Sequence, residues 1–220
     1  MKKRDTSKNP STRSERLREA SQQRREQGKQ EVRQAILEAA SELFLKHGYQ
    51  HFSLRQVAEQ IGYSPGTIYL YFKDKDEVLF TIMDEGFALF GGMLTAAAEG
   101  DADPRQQLSR IGRAYIDFGL HNPAYYQLMF MQRTDYLLRS SSETLQPHFA
   151  IFGLWQQAVE EAMKAGVLRM GDPAVTSDTL WALLHGVVSI ALLMPNLDEK
   201  RIHEMTENAL EMIASGLHKM

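Results

Sequence analysis

The spacing of apolar residues along the chain predicts helices and gives no sign of strands. In the first helix, apolar side chains recur at three- and four-residue steps, at Val32, Ile36, Ala39, Ala40, Leu43 and Phe44. Gly48 follows two basic residues at the expected end of this helix. No segment alternates with the two-residue period of a strand, and no internal repeat is present. The pattern therefore predicts an all-α protein.

Two short helices are predicted after the first one. Ser53 precedes an apolar pattern and is followed three residues later by Gln56, which is the spacing of a capping box. Gly62 ends this helix, Ser64 is a natural N-cap, and Pro65 suits the first position of the next helix. A long helix followed by two short ones with a tight glycine turn between them is the helix-turn-helix arrangement.

The rest of the chain is predicted to be a second, larger set of helices. Asp74 caps a fourth helix, which changes character at Gly91 and Gly92 and ends before the turn sequence GDADP. Further helices are predicted at 104–120, 123–132, 146–166, 174–194 and 199–217. The stretch from 133 to 146 has the least regular pattern.

Charge divides the chain into a basic and an acidic part. Residues 1–78 carry 15 Lys and Arg against 11 Asp and Glu, whereas residues 79–220 carry 10 against 17. This asymmetry favours contact of the first part with a polyanion, although an ordinary solvated surface explains it equally well. Residues 1–28 are polar and basic, and we expect a mobile arm in which any transient helix ends at Gly28. This arm is either a DNA contact or a solubilising tail.

The second short helix has one apolar and one outward face. A helical wheel directs Ile68 and Phe72 to the core and Leu70 to the outside. Leu70 is either unremarkable apolar surface or a contact for a thymine methyl group. Lys75 lies in the first turn of a helix, where its charge opposes the helix dipole, and a nearby phosphate would remove this conflict.

The segment SLRQVAEQIGYSPGTIYLYFKDKDEVL resembles the signature of TetR-family (TetR/AcrR) transcriptional regulators, and the resemblance covers roughly residues 31–80. Carried over position by position, it implies a DNA-facing set of Ser53, Arg55, Ser64, Pro65, Gly66, Thr67, Tyr69, Leu70, Tyr71, Lys73 and Lys75. Tyr71 departs from the histidine that many members have, and Arg55 alone reads equally well as a solvated helix residue.

The resemblance also implies the organisation of the whole chain. It places an arm at 1–28, a three-helix helix-turn-helix DNA-binding domain at 29–78, and a larger helical ligand-binding and dimerisation domain at 79–220. The segment DTLWALLHGVVSIALL is similar to the Trp and His-Gly pattern of one C-terminal subgroup. The implied function is that of a homodimeric repressor on a palindromic double-stranded operator, released by a small apolar or amphipathic effector. A DNA-binding architectural protein controlled by a protein partner is the alternative.

Two groups of apolar residues in the second domain are candidates for these roles. The dimer interface is expected on the last two helices, at Leu180, Leu184, Val187, Ile190, Met205, Ala209 and Met212, although packing within one chain explains the same pattern. The effector pocket is expected among Phe87, Phe90, Tyr115, Phe118, Tyr126, Phe130, Phe152, Trp155, Trp181 and His185. Most of these side chains would serve as core in any helical domain.

Composition excludes several classes of protein. The absence of cysteine rules out disulfides, thiolate metal sites and cysteine nucleophiles. No phosphate loop, nucleophile elbow or HExxH motif is present, and the histidines lack metal-ligand spacing, so we expect neither catalysis nor a cofactor or metal. The N-terminus has no apolar signal region and no uninterrupted apolar run has the length of a membrane span, so a cytoplasmic protein is expected.

Overall fold

The computed structural model describes residues 13–100, 103–132, 142–194 and 196–215, with the backbone alone at 132 and 142–150. The described residues form helices joined by turns and contain no strand. The helices are α1 Arg13–His51, α2 Leu54–Gln60, α3 Pro65–Ile68, α4 Lys75–Ala98, α5 Pro104–His121, α6 Pro123–Gln127, α7 Ser142–Lys164, α8 Pro173–Leu193 and α9 Glu199–Ser215. A π-helical segment, Leu128–Gln132, follows α6. The prediction of an all-α fold is confirmed.

Helices α1 to α3 and the start of α4 enclose the first hydrophobic core. Its buried members include Ile36, Ala40, Phe44, Val57, Ala58, Ile68, Phe72, Val78 and Leu79. The three predicted N-caps are confirmed, because the side chains of Ser53, Ser64 and Asp74 each accept a hydrogen bond from a backbone N–H three residues later. Gly62 closes the turn between α2 and α3 with φ 73°, a conformation that favours glycine.

Helix α1 is much longer than the sequence pattern predicted. It starts at Arg13 and passes through Gly28, where an end was expected, while Gly48 interrupts it near the C-terminus with φ 68°. The residues around Gly28 are mostly Arg, Glu, Gln and Lys, all good helix formers, so a single glycine costing about 1 kcal/mol does not end the helix. Residues 1–12 of the expected arm lie outside the described residues.

Helices α4 to α9 enclose the second core. Helix α4 belongs to both cores, since Val78, Leu79 and Ile82 are in the first and Phe87 and Phe90 are in the second. Helix α5 lies centrally and packs against α4, α7, α8 and α9. The helix α4 is continuous through Gly91, at which an added Cβ would lie 3.0 Å from Ile151 Cδ1, so this glycine allows close packing of α7.

Helices α4 and α8 are both long and apolar enough to cross a bilayer by length and composition, with a mean hydropathy of 1.4 each. Charged residues interrupt both helices, Asp84 and Glu85 in α4 and Asp178 in α8. Both helices contribute buried residues to the core, among them Phe87 and Phe90 of α4 and Leu184 and Val188 of α8. Both helices therefore take part in the packing of the second core.

Gly119→Ala is expected to destabilise the second core by about 1–3 kcal/mol through overpacking. A Cβ at Gly119 would come within 2.4 Å of Val188 Cγ1 and 2.9 Å of Tyr126 Cδ2, so α5 and α8 would have to separate. Urea unfolding measures the change. Gly153→Ala is the matched control, because nothing lies within 4 Å of its added Cβ and alanine favours the helix. Equal stability of the two variants would contradict the packing argument.

Candidate DNA-binding surface and effector pocket

The segment from Ser64 to Phe72 combines a buried anchor with an exposed surface. Ile68 is fully buried and Phe72 is 3% exposed, which fixes the segment against the first core. Between them, Tyr69 is 59% exposed and Leu70 is 83% exposed, the largest exposed fraction among the exposed large apolar side chains. The predicted orientation of this helix is therefore confirmed, and its free side presents an aromatic hydroxyl and an aliphatic side chain.

The other predicted DNA-facing residues surround this pair. Arg55, Ser64, Pro65, Gly66 and Lys73 are exposed, whereas Ser53, Thr67, Tyr71 and Lys75 are partly buried. Some of these side chains already have partners within the chain. The hydroxyls of Ser64 and Thr67 are 2.9 Å apart, and the Ser53 hydroxyl donates to Gln56 Oε1 at 2.8 Å. Their first role is to shape the two helix starts.

Lys75 lies in the first turn of α4, as predicted, but its charge has partners within the chain. Its ammonium donates to the carbonyl oxygens of Tyr49 at 2.9 Å and Phe52 at 3.5 Å, and lies 4.1 Å from the centre of the Tyr49 ring. These carbonyls belong to the C-terminal end of α1 and its following turn, which carry partial negative charge. The conflict with the dipole of α4 is thus resolved inside the chain, without a phosphate.

Lys75→Ala is expected to lower the free energy of unfolding by about 1 kcal/mol, because it removes a charged hydrogen bond and a cation–π contact. Urea unfolding measures the loss. Lys73→Ala removes the same charge from an exposed position two residues away and should change stability by less than about 0.5 kcal/mol. If both variants unfold alike, Lys75 does not stabilise the end of α1.

The predicted pocket residues come together in the second core. Ring contacts join Phe87, Phe90, Tyr115, Phe118, Tyr126, Phe130, Phe152, Trp181 and His185 into one continuous aromatic cluster. The tenth residue, Trp155, borders the same space and donates from its indole to the Ser177 carbonyl at 3.1 Å. The surface of this cluster is almost entirely apolar. An apolar ligand could therefore bind there without removing water from many polar groups of the protein.

Four members of the cluster carry polar atoms that contact one another, and we call them the polar quartet: Tyr115, Tyr126, Trp181 and His185. The Trp181 indole donates to the Tyr115 hydroxyl at 3.1 Å, and the Tyr115 and Tyr126 hydroxyls are 2.9 Å apart. Nδ1 of His185 lies 3.2 Å from the Tyr115 hydroxyl and 2.5 Å from that of Tyr126. Four polar groups therefore converge on one point.

Burial sets the protonation of the polar quartet. It raises the pKa of the Tyr126 phenol to about 12, and it also raises the pKa of Tyr115, helped by the neighbouring Tyr126. The pKa of His185 is lowered by the same desolvation. At neutral pH the quartet is uncharged, and it offers hydroxyl and imidazole groups that suit a carbonyl or another neutral polar group.

The space inside the cluster is almost closed. A cavity of about 10 Å³ remains, which is near the lower limit for a single water molecule. Four aliphatic side chains outside the predicted pocket set also line it: Leu94, Ile111, Ile151 and Leu184, the last of which was predicted at the dimer interface. Their spacing is that of ordinary core residues, so no signal in the sequence distinguishes them.

The residues expected at a dimer interface divide into two groups. Leu180, Leu184, Val187 and Ala209 are buried within the single chain, Met205 is partly buried, and Ile190 and Met212 are 42% and 58% exposed. Helix α5 covers the sides of α8 and α9 that carry Leu184 and Leu210. A Cβ added to Gly112 of α5 would lie 2.9 Å from Leu210 and 3.5 Å from Leu184. For the buried members, packing within one chain is therefore the observed role.

One connection between the two cores was missed in the sequence. Leu128 is fully buried in the first core, and Tyr125 packs against it, whereas Tyr126 and Met129 are buried in the second core. Consecutive residues of α6 and the π-helical segment thus contact the DNA-binding domain and the polar quartet. Pro123 indicated the start of this helix, but nothing in the sequence indicated that its two sides face different cores.

His121, a histidine outside the quartet, has a partner in its own helix. Nδ1 of His121 lies 2.8 Å from the Asp117 carbonyl oxygen, in the last turn of α5. Over the described ranges of the chain, no group of three or more His, Cys, Asp or Glu residues could hold a metal ion. The side chain of His148 lies outside the described residues.

Comparison with known proteins gives matches to both domains. Residues 36–82 match the family model of bacterial regulatory proteins of the tetR family, and residues 108–213 match the tetracyclin repressor-like C-terminal domain. The chain is 23% identical over 187 residues to the fatty acid metabolism regulator protein of Bacillus subtilis (strain 168), a similarity that covers 83% of this chain and 94% of that protein.

Solved structures share the fold. The fatty acid degradation regulator FadR from Bacillus halodurans matches with a TM-score of 0.69 and 19% identity, over 86% of this chain and 97% of that one. AibR, solved in complex with isovaleryl coenzyme A and operator DNA, matches with a TM-score of 0.66 and 20% identity, over 83% and 98% of the two chains.

These features define a helix-turn-helix DNA-binding regulator with a separate helical regulatory domain. The chain belongs to the TetR family of bacterial transcriptional regulators, as both of its domains match the family. TetR-family members are transcription factors and not enzymes, and the expectation of no catalytic activity is confirmed on this ground. The curated relative at 23% identity is likewise a regulator, named for fatty acid metabolism.

Proposed function

We propose that this protein is a cytoplasmic homodimeric repressor of a palindromic operator, and that a small acyl thioester such as an acyl coenzyme A releases it. The observation that carries the proposal is the polar quartet within an otherwise apolar aromatic cluster, because this pairing suits a ligand with an apolar chain and one carbonyl. A relative named for fatty acid metabolism and a neighbour solved with isovaleryl coenzyme A support the same ligand class.

On the DNA side, the exposed Tyr69 and Leu70 would enter the major groove from the segment anchored by Ile68 and Phe72. A Tyr69 hydroxyl suits a phosphate oxygen, and the Leu70 side chain suits a thymine methyl group. Exposed Arg55 and Lys73 would add phosphate contacts at the edges. A single segment of this size buries little surface, so two copies on a two-fold axis are needed for specificity, which favours a homodimer.

A dimer interface would use the apolar surface that remains free on α8 and α9. Ile190, Leu193 and Met194 at the end of α8 and Met212 on α9 are all more than 40% exposed. Exposed apolar side chains on neighbouring helices are a usual feature of helix-bundle dimers. The buried residues of the same helices would support this surface from inside.

Effector binding would require the aromatic cluster to expand, since its cavity of about 10 Å³ holds no acyl chain. The effector would therefore bind a conformation with the rings of Phe152 and Trp181 displaced and would shift the population towards it. Movement at Tyr126 would reach the DNA-binding core directly, because the adjacent Tyr125 and Leu128 pack there. Helix α4 would provide a second connection, since it lies in both cores.

The test is fluorescence anisotropy with labelled duplexes from the protein's own promoter region, followed by titration with acyl coenzyme A thioesters of increasing chain length. Saturable binding to a palindromic site, reversed by acyl thioesters but not by free coenzyme A, is the expected result. Equal and salt-steep binding to every duplex would support the architectural alternative instead. Release by free fatty acids but by no thioester would leave the repressor intact and overturn the ligand class.

A further inference from the structure

The N-terminal part of α1 has no role in either core, and its charges are arranged on the helix surface. We call residues 13–29 the helical extension. It contains Arg13, Arg16, Arg18, Arg24, Arg25 and Lys29 against Glu15, Glu19 and Glu26. Its charged side chains are exposed, and Leu17 is its largest apolar side chain, with 60% exposure. A helix with so little to bury requires another explanation for its composition.

The direction of three basic residues follows from the helix geometry. Arg25 and Lys29 lie 7 and 11 residues after Arg18, and at 100° per residue the three side chains fall within about 40° of one another. We call them the basic stripe. Ile36 lies 18 residues after Arg18, which is five full turns, and it is fully buried against the DNA-binding domain. The basic stripe therefore continues the side of α1 that faces this domain.

The helical extension is continuous with the part of α1 that packs beside the recognition segment. Arg33 lies 5.3 Å above the ring of Phe72 and 3.4 Å from Glu85, which fixes α1 against both α4 and the segment carrying Leu70. An open cleft of about 310 Å³ lies between this part of α1 and the exposed recognition segment. The cleft is lined by Glu26, Lys29, Gln30, Arg33, Leu70 and Tyr71.

We propose that the helical extension is a second DNA-contacting element, which lies along the phosphate backbone beside the groove occupied by the recognition segment and binds it through the basic stripe. The proposal rests on the proposed DNA-binding function. The distance from residue 13 to residue 28 is about 22 Å, equivalent to about six base pairs of duplex. Glu15, Glu19 and Glu26 lie on the neighbouring side of the helix and make the contact directional, because rotation of the helix would place carboxylates against phosphates.

The test compares two pairs of substitutions with the same charge change in the full-length protein. Arg18→Gln with Arg25→Gln removes two of the three charges of the basic stripe, whereas Arg13→Gln with Arg24→Gln removes two arginines that point more than about 100° away from it. Binding to a labelled operator duplex is measured by anisotropy across a salt series. Circular dichroism checks that both double variants keep the helix.

The basic-stripe variant is expected to lose affinity at least about tenfold and to reduce the slope of log K against log salt by about 3 to 4, for four arginines per dimer. The control variant should keep the slope within about one unit. Equal losses in both variants, or no loss in either, would overturn the oriented contact. Leu70→Glu distinguishes operator binding by the recognition segment from phosphate contact by the helical extension. If Leu70→Glu loses binding while the basic-stripe variant keeps full affinity, the regulator function stands and only the contact by the extension is refuted.

Rigid placement is tested separately by Gly28→Pro, which keeps every charge and breaks α1 between the extension and the domain. The variant is expected to reproduce most of the loss seen with the basic-stripe variant. Gly28→Ala is its control, because nothing lies within 4 Å of the added Cβ and the helix is strengthened. Full affinity of Gly28→Pro would show that the charges act without the helix and would overturn the proposed geometry.

Discussion

Leu70→Glu is expected to abolish operator binding while leaving the protein folded. The side chain is 83% exposed, so its replacement should change the free energy of unfolding by less than about 0.5 kcal/mol. On DNA it would place a carboxylate beside the bases and phosphates of each half-site. A lost groove contact costs about 1–3 kcal/mol, and two half-sites double this to a loss of roughly 30-fold to 10⁴-fold.

The matched control for this prediction is Met170→Glu. Met170 is 70% exposed and lies between α7 and α8, so the substitution adds the same charge to an apolar surface residue of the other domain. Anisotropy with the operator duplex and a thermal melt measure binding and folding for both variants. If operator affinity falls equally in the two variants, the effect comes from net charge. Leu70 would then be an exposed residue with no contact to DNA.

A sharper version of this experiment asks whether Leu70 contacts a thymine methyl group. Leu70→Ala is combined with operators in which single thymines are replaced by deoxyuridine, which removes one methyl group at a time. For the contacted thymine, the two changes should be non-additive, with a coupling energy of about 0.5 kcal/mol or more per half-site. Additive losses at every thymine would limit Leu70 to a steric role.

Local features of the DNA-binding domain were predictable because each depends on residues close in sequence. The caps at Ser53, Ser64 and Asp74 need only the backbone three residues ahead, and the burial of Ile68 and Phe72 follows from one helical turn. Lys75 was different, since its partners are carbonyl groups 23 and 26 residues earlier in the chain. A sequence pattern indicated its unfavourable helix position but not the contact that relieves it.

The second domain shows the same limit over longer distances. Tyr115 and His185 are 70 residues apart in sequence, and only the packing of α5 against α8 brings their polar atoms together. The aromatic residues selected for the pocket lie together because large rings gather in the core of a helical domain, and their role in effector binding stays a prediction. Which rings carry the polar contacts, and which residues of α8 and α9 remain exposed, depended on the position of α5.

The placement of Tyr126 has a consequence for regulation. Its hydroxyl belongs to the polar quartet, while Tyr125 beside it in α6 packs against the first core and Leu128 is buried there. A Cβ added to Gly86 of α4 would lie 2.9 Å from Met129 and 3.0 Å from Tyr125, so α4 and the α6 region have little room to move independently. Expansion of the aromatic cluster would therefore displace both connections to the DNA-binding domain together.

Tyr126→Phe is expected to weaken the effector response about tenfold while leaving operator affinity unchanged. The substitution keeps the ring and its packing, but it removes the hydroxyl that contacts Tyr115 and His185 and would bind the effector carbonyl. Loss of one hydrogen bond in a buried site costs about 0.5–1.5 kcal/mol, or roughly 2- to 13-fold. His185→Leu removes the imidazole nitrogen that lies near both the Tyr115 and the Tyr126 hydroxyls, and its effect should exceed that of Tyr126→Phe.

Tyr125→Phe is the matched control, because it deletes the same atom from the adjacent residue, which lies against α1 and α4 and not in the polar quartet. The measurement is the acyl coenzyme A concentration that releases half of the bound operator duplex, with operator affinity determined separately for each variant. A shift confined to Tyr126→Phe and His185→Leu would assign effector recognition to the polar quartet. Equal shifts in all three variants would instead mean that the hydroxyls act through helix packing, and the effector would then have to bind elsewhere in the domain.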